Sequence, residues 1–159
     1  MLAKLSLLAL LGLPLFGRNP EVHTIGPWRL DAHRDAFTGQ MLCTLTRGGT
    51  GPGGIEYARH ALVLHLSPKI DTSAALYRLD QGPVYAVKTD QADLAKLGFP
   101  LHADDLDNPS AGLVRIPIGR VVGARVVSVD YSVGRRVVAF KIDGLAGALN
   151  VAAAAGCVG

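Results

Sequence analysis

Cysteine is scarce in this chain, with only Cys43 and Cys157 among 159 residues. That excludes a CxxC zinc site, which needs closely spaced thiolates. An excess of one charge is missing too: 16 Lys and Arg stand against 13 Asp and Glu, a formal net charge of +3. The cations are scattered, so the basic stripe of a nucleic-acid binder is absent. Charged residues amount to 18% and hydrophobic ones to 49%, the reverse of the balance that keeps a chain disordered. Neither a GxSxG elbow nor a GxxxxGK[ST] loop occurs, which removes the simplest signatures of a serine hydrolase and of a P-loop nucleotide binder. The length fits one compact domain.

What is present begins at the N-terminus. Met1-Leu-Ala-Lys4 carries one positive charge, and Leu5–Phe16 is an apolar run interrupted by Gly12 and Pro14. This pattern is that of a secretory signal peptide over residues 1–17, with cleavage expected after Gly17. Leu15, at the −3 position, is larger than the residue a signal peptidase prefers, so the cut can shift by a few residues. The run stops at Arg18-Asn19-Pro20, short of the ~20 apolar residues of a permanent membrane anchor. No cysteine follows it, which removes a lipid anchor of that kind. Loss of Lys4 leaves 15 cations against 13 anions. The expected product is a periplasmic or secreted protein with no transmembrane span after cleavage, and residues 18–159 form a single β-rich domain.

In an oxidising compartment an isolated pair of thiols predicts a disulfide, here Cys43 to Cys157. Met41, Cys43 and Leu45 alternate onto one face of a strand, with Leu42, Thr44 and Thr46 on the other, and this turns Cys43 toward the core. Short alternating runs separated by Gly, Pro, Asn and Asp predict strands at Trp28–His33, Gln40–Thr46, Tyr57–Leu66, Ala75–Asp80, Val84–Lys88, Leu113–Ile118, Ala124–Tyr131 and Arg136–Asp143. The last two form a hairpin around Ser132-Val-Gly134-Arg135. Two helices break the pattern. One covers Gln91–Leu97, with Asp90 as N-cap and Gly98 as its stop; the other covers Leu145–Ala155, closed by Gly156. In the second, Leu145, Ala148, Leu149 and Ala152 share a face, and the opposite face is also apolar but built of small residues. The expected fold is mainly β: a single antiparallel β-sandwich or partly open barrel with one short internal helix and one short C-terminal helix.

Candidate chemistry is sparse. The Gly-rich stretch Arg47–Gly54 precedes a strand rather than a helix, so it offers phosphate no helix N-terminus and reads as a flexible loop. His102-Ala-Asp-Asp-Leu-Asp-Asn-Pro-Ser110 gathers an imidazole, three carboxylates and a hydroxyl. It lacks the spacing and glycine of a calcium loop, and its Asn-Pro-Ser is no glycosylation acceptor. A triad of Ser110, His102 and an aspartate has no elbow to expose the hydroxyl. His60 and His65 fall on opposite faces of an ideal strand, and His23 and His33 fit no ligand spacing. Arg29, Arg78, Lys88, Arg115, Arg125 and Lys141 with Asp31, Asp80 and Asp130 read as a solvated face of mixed sign. No catalytic, cofactor-binding or metal-ligating residues are assigned.

The order of these segments resembles the invasion-associated locus B family of small secreted bacterial proteins. The resemblance rests on the leader, Trp28-Arg-Leu30 opening the mature domain, Cys43-Thr-Leu45 after a short polar hairpin, and Phe140-Lys-Ile-Asp-Gly144-Leu with Ala148-Leu149 near the end. It implies an exported β-sandwich with no established enzymatic chemistry. One departure stands out: the family usually carries a further cysteine shortly after the opening Trp, where this chain has Ala32 or His33, so its cysteine pairing is not carried over.

The expected function is therefore an exported, non-enzymatic binding, interaction or envelope-scaffold domain with no cofactor. Its interaction surface would include Leu145, Leu149 and Ala153, and its partner would be an envelope protein rather than nucleic acid. The alternative is a small periplasmic hydrolase or metal-dependent enzyme using the His102–Ser110 segment.

Overall fold

A computed structural model describes residues 21–99, 111–131 and 136–157. The strands are β1 (Glu21–Ile25), β2 (Trp28–Arg34), β3 (Met41–Arg47), β4 (Ile55–Ala58), β5 (Ala61–His65), β6 (Leu76–Leu79), β7 (Val84–Ala86), β8 (Leu113–Pro117), β9 (Val126–Asp130) and β10 (Val137–Lys141). The helices are α1 (Gln91–Lys96), preceded by a 3-10 turn at Val87–Asp90, then α2 (Ile118–Val121) and α3 (Leu145–Ala154). Two antiparallel sheets result, one ordered β1-β2-β3-β4-β5-β8 and the other β10-β9-β6-β7. The mainly-β expectation holds, and the arrangement is an open two-sheet sandwich.

Alternation explains the register. Leu30 sits opposite Leu45 and Ala32 opposite Cys43, Leu45 opposite Tyr57, and Leu62 and Leu64 opposite Ile116 and Val114. The inner face of the larger sheet is thus a continuous apolar layer. The smaller sheet answers it with Tyr77, Val127, Val129 and Phe140, and both sheets contribute to one core. The expected hairpin of the last two strands pairs Val137 with Asp130 and Lys141 with Val126; its connecting residues 132–135 lie outside the described residues.

Four local features differ from the sequence expectation. The strand expected over Tyr57–Leu66 is cut in two at Arg59 and His60, which take φ values of 48° and 62° and turn the chain into the β4–β5 hairpin. Such a turn normally carries Asn or Gly, so these two bulky residues conceal it. Strand β1 was not expected, because four of its five residues are exposed and no alternation marks it. The single turn of α2 and the 3-10 turn are likewise too short to leave a periodic signature. Finally, Asp90 occupies the N-cap position of α1 but makes no capping bond. Its side chain is drawn inward, where Tyr77 donates its hydroxyl to Oδ2 at 2.6 Å.

Helix α3 lies along β2 and β3 and is tied down at both ends. At its start the Trp28 indole donates to the Asp143 carbonyl at 2.9 Å, and Arg47 pairs with the Asp143 carboxylate at 2.8 Å. That pairing holds the Asp143 carboxyl below the usual carboxylate range. Between them Gly144 adopts φ 78°, a backbone conformation that residues with a side chain rarely take. At the other end Cys157 is joined to Cys43 of β3, with Cα atoms 5.7 Å apart, so the expected disulfide is present.

Candidate functional site

The inner face of the larger sheet is not fully covered. Helix α3 shields it on the β2–β3 side, α2 approaches from the β5–β8 side, and between them runs a cleft of about 700 Å³. Its floor includes Met41, Cys43, Leu45 and Tyr57; Leu149, Ala152, Ala153 and Cys157 form one wall, and Ile118 and Val122 the other. The composition of α3 accounts for the opening. Where a typical amphipathic helix would project Leu or Phe, positions 152 and 153 carry alanine, whose side chains end at Cβ and leave the space unfilled.

The sequence-predicted surface residues separate in this setting. Leu145 is 3% exposed and belongs to the core, so it presents no surface. Leu149 is partly buried and packs against the core while lining the cleft. Ala153 is exposed on the cleft wall. Helix α3 is therefore laid flat on the sheet, with Ala146, Gly147, Asn150, Val151 and Ala154 turned outward.

The cleft is predominantly apolar, with a polar group that sequence reading did not single out. Tyr57 is half-buried on the floor, and burial alone raises its pKa above the ordinary value. Its hydroxyl has no hydrogen-bond partner among the described residues. Arg59 stands at the rim, with its guanidinium anchored to the Gly98 carbonyl at 3.0 Å. Tyr57 falls on an inward register position that looks like ordinary core, so nothing local marked its exposure to the cleft.

A second polar cluster ties α2 and the 3-10 turn to the smaller sheet. Asp90 is fully buried and takes the Tyr77 hydroxyl on Oδ2. Its Oδ1 lies 2.7 Å from Arg120 Nε as a charge contact without aligned hydrogen-bond geometry. Arg120 also lies over the Tyr85 ring at 5.3 Å, and Tyr85 stacks on Tyr77 at 5.3 Å. Burial first, then the hydrogen bond to Asp90, pushes the Tyr77 phenol far above its usual range. With Asp90 closed to solvent, the cluster is an internal brace that fixes α2 to the 3-10 turn.

Among the described residues the remaining candidates form no chemical site. His102, Ser110 and the aspartates between them lie outside the described residues. His60 is exposed in the β4–β5 turn, while His65 pairs with Glu56 at 3.5 Å. Among the described residues no group of three or more His, Cys, Asp or Glu side chains is placed to hold a metal ion. The Gly-rich stretch connects β3 to β4 as expected, and its second half is bonded to the end of β5 through Gly53 N to His65 O at 2.7 Å and His65 N to Gly54 O at 3.0 Å. No described helix is long and apolar enough to cross a membrane. Comparison with known protein families, curated proteins and solved structures finds no match.

Proposed function

We propose that this is an exported, non-enzymatic binding domain of the cell envelope, and that it binds an apolar group in the cleft beside α3. The observation that carries the reading is the cleft itself. Its volume of about 700 Å³ lies within the ~300–1,000 Å³ of ligand pockets, and it is mostly apolar with a few polar groups to orient what enters. The Tyr57 hydroxyl, with no protein partner among the described residues, is such a group. The disulfide and the leader-like N-terminus support export, as does the resemblance to the invasion-associated locus B family.

The test is an apolar fluorescent probe, anilinonaphthalene sulfonate, titrated into the native domain and two variants. Ala153→Trp fills the cleft from its wall, whereas Asn150→Trp places the same ring on the outward face of α3. The expected result is saturable fluorescence enhancement for the native domain and Asn150→Trp, lost in Ala153→Trp. Equal enhancement in all three, or none in any, overturns the reading.

A further inference from the structure

The largest exposure of any large apolar side chain among the described residues belongs to Phe37, at 99%. It sits at the tip of the β2–β3 hairpin in a braced connection. The amides of Phe37 and Thr38 donate to Asp35 Oδ1 at 2.9 and 2.6 Å, and the Thr38 hydroxyl donates to the same oxygen at 2.9 Å. Gly39 N reaches the Asp35 carbonyl at 2.9 Å and Asp35 N the Gln40 carbonyl at 2.8 Å. Arg34 Nη1 caps the Gly39 carbonyl at 2.5 Å. These bonds also hold the Asp35 carboxyl below its ordinary pKa. A ring on a loose loop could fold back onto the protein's own apolar surface; this ring is held out in water.

The strand ends that carry the tip also border the cleft, for His33 of β2 and Met41 of β3 line it. An apolar projection and an apolar recess of sufficient volume therefore stand side by side at one end of the domain. A two-fold axis passing between them brings each projection to the other copy's recess, which is the condition for a closed, self-complementary pair. We infer that the domain forms a symmetric dimer in which Phe37 of each copy inserts into the cleft of the other. The inference rests on the cleft reading above and names the occupant: a second copy of this chain. The Tyr57 hydroxyl then meets the edge of an aromatic ring or the turn that carries it, and Phe37 acts as the buried aromatic anchor of a small interface.

The experiment is sedimentation velocity of the disulfide-bonded domain between about 5 µM and about 500 µM, a range matched to interfaces of this modest size. The native domain is expected to dimerise. Phe37→Ser removes both projections and is expected to weaken association on the order of a hundredfold or more, since two buried aromatic anchors are lost per dimer. Ala153→Trp blocks both recesses and gives the same loss. Phe37 is solvent-exposed and Ala153 lines an open wall, so far-ultraviolet circular dichroism is expected to match the native domain in both.

Mixing the two variants is the decisive step. Phe37→Ser keeps an open recess and Ala153→Trp keeps a projection, so a one-to-one mixture is expected to form a heterodimer through one intact contact, although neither variant self-associates. Three results overturn the inference: a native domain that is monomeric throughout, a dimer indifferent to Phe37→Ser, or a mixture that stays monomeric while the native domain dimerises. If the native domain is monomeric yet takes the fluorescent probe and loses it in Ala153→Trp, the dimer is refuted and the binding cleft stands. If it neither dimerises nor takes the probe, both fall.

Discussion

Removing the disulfide is the perturbation whose magnitude the structure specifies best. Cys43 and Cys157 are 114 residues apart in sequence, and closing a loop of that length removes about 16 cal/mol/K of entropy from the unfolded chain, about 4.8 kcal/mol at 25 °C. Observed losses for native bridges fall in the range of about 2–5 kcal/mol, a large part of the ~5–15 kcal/mol that holds a typical domain folded. The double variant Cys43→Ala/Cys157→Ala leaves no unpaired thiol to confuse the comparison. With an unfolding entropy of about 2.1 cal/mol/K per residue over roughly 140 residues, the full loss corresponds to a fall in Tm of about 15 °C. The damage also has an expected location. Helix α3 fully buries only Leu145, Ala148 and Ala152, and its first turn remains held by Trp28 and Arg47. Its last turn depends on the bridge. Hydrogen exchange is therefore expected to rise at Ala155, Gly156 and Cys157, whose amides bond to Val151, Ala153 and Ala152 carbonyls, while the Trp28 indole N–H stays protected. A Tm within about 3 °C of the native value, well below the shift worked above, or unchanged exchange at the end of α3, would refute the reasoning.

Two further predictions test the frame. Gly54 is buried in the β3–β4 connection, and a Cβ there would overlap the Gly49 carbonyl, whereas Gly51 has nothing within 4 Å; Gly54→Ala is expected to cost more than about 2 kcal/mol in urea unfolding and Gly51→Ala less than about 0.5 kcal/mol. Asp90→Ala strands the buried Tyr77 hydroxyl and removes the counter-charge of Arg120, whose 37% side-chain exposure lets it regain water, so a loss of about 2–3 kcal/mol is expected, with Tyr77→Phe costing about 1–2 kcal/mol. Because the Tyr77 pKa is raised above 10.0 in the folded chain, the unfolded chain loses its proton first as pH climbs. Stability is full below pH 10 and declines above it, and urea midpoints measured across alkaline pH should show a shallower decline in Tyr77→Phe.

Much of the sandwich was legible because its strands carry a one-sided burden. Trp28, Leu30 and Ala32 alternate with polar residues on β2, and Val114 and Ile116 flank Arg115 on β8, so the period of two reports the buried face directly. The cysteine pair was legible because two thiols admit one pairing. What escaped was either edge or tertiary. Strand β1 pairs only with β2, as the sheet's outer strand, and needs no apolar face to stay in place. The break at Arg59-His60 depends on backbone conformations that the residue types disguise. Asp90 wears the sequence signature of an N-cap, and only the position of Tyr77 and Arg120 turns it inward. The cleft was half legible: small residues on the terminal helix were visible, but whether they meet a sheet or leave a gap is decided by where α2 stops.

The two walls of the cleft are held by different means, and that difference bears on what the cleft can do. Helix α3 is fixed by the Trp28 and Arg47 contacts at one end and the covalent bridge at the other. Helix α2 is fixed by Arg120 on the buried Asp90 and by the Ile118 amide on the His60 carbonyl at 2.8 Å. Each wall is thus pinned at points on the body of the domain rather than by packing against the other wall. Were the walls held apart only by side chains between them, an empty cleft would collapse to recover buried area. Pinned as they are, the space persists without an occupant, and one that enters need not separate packed groups or order a loose helix. The ordering cost that usually offsets burial is largely met in the folding of the domain itself, which supports the proposal that the cleft lined by the alanines at positions 152 and 153 takes an apolar occupant.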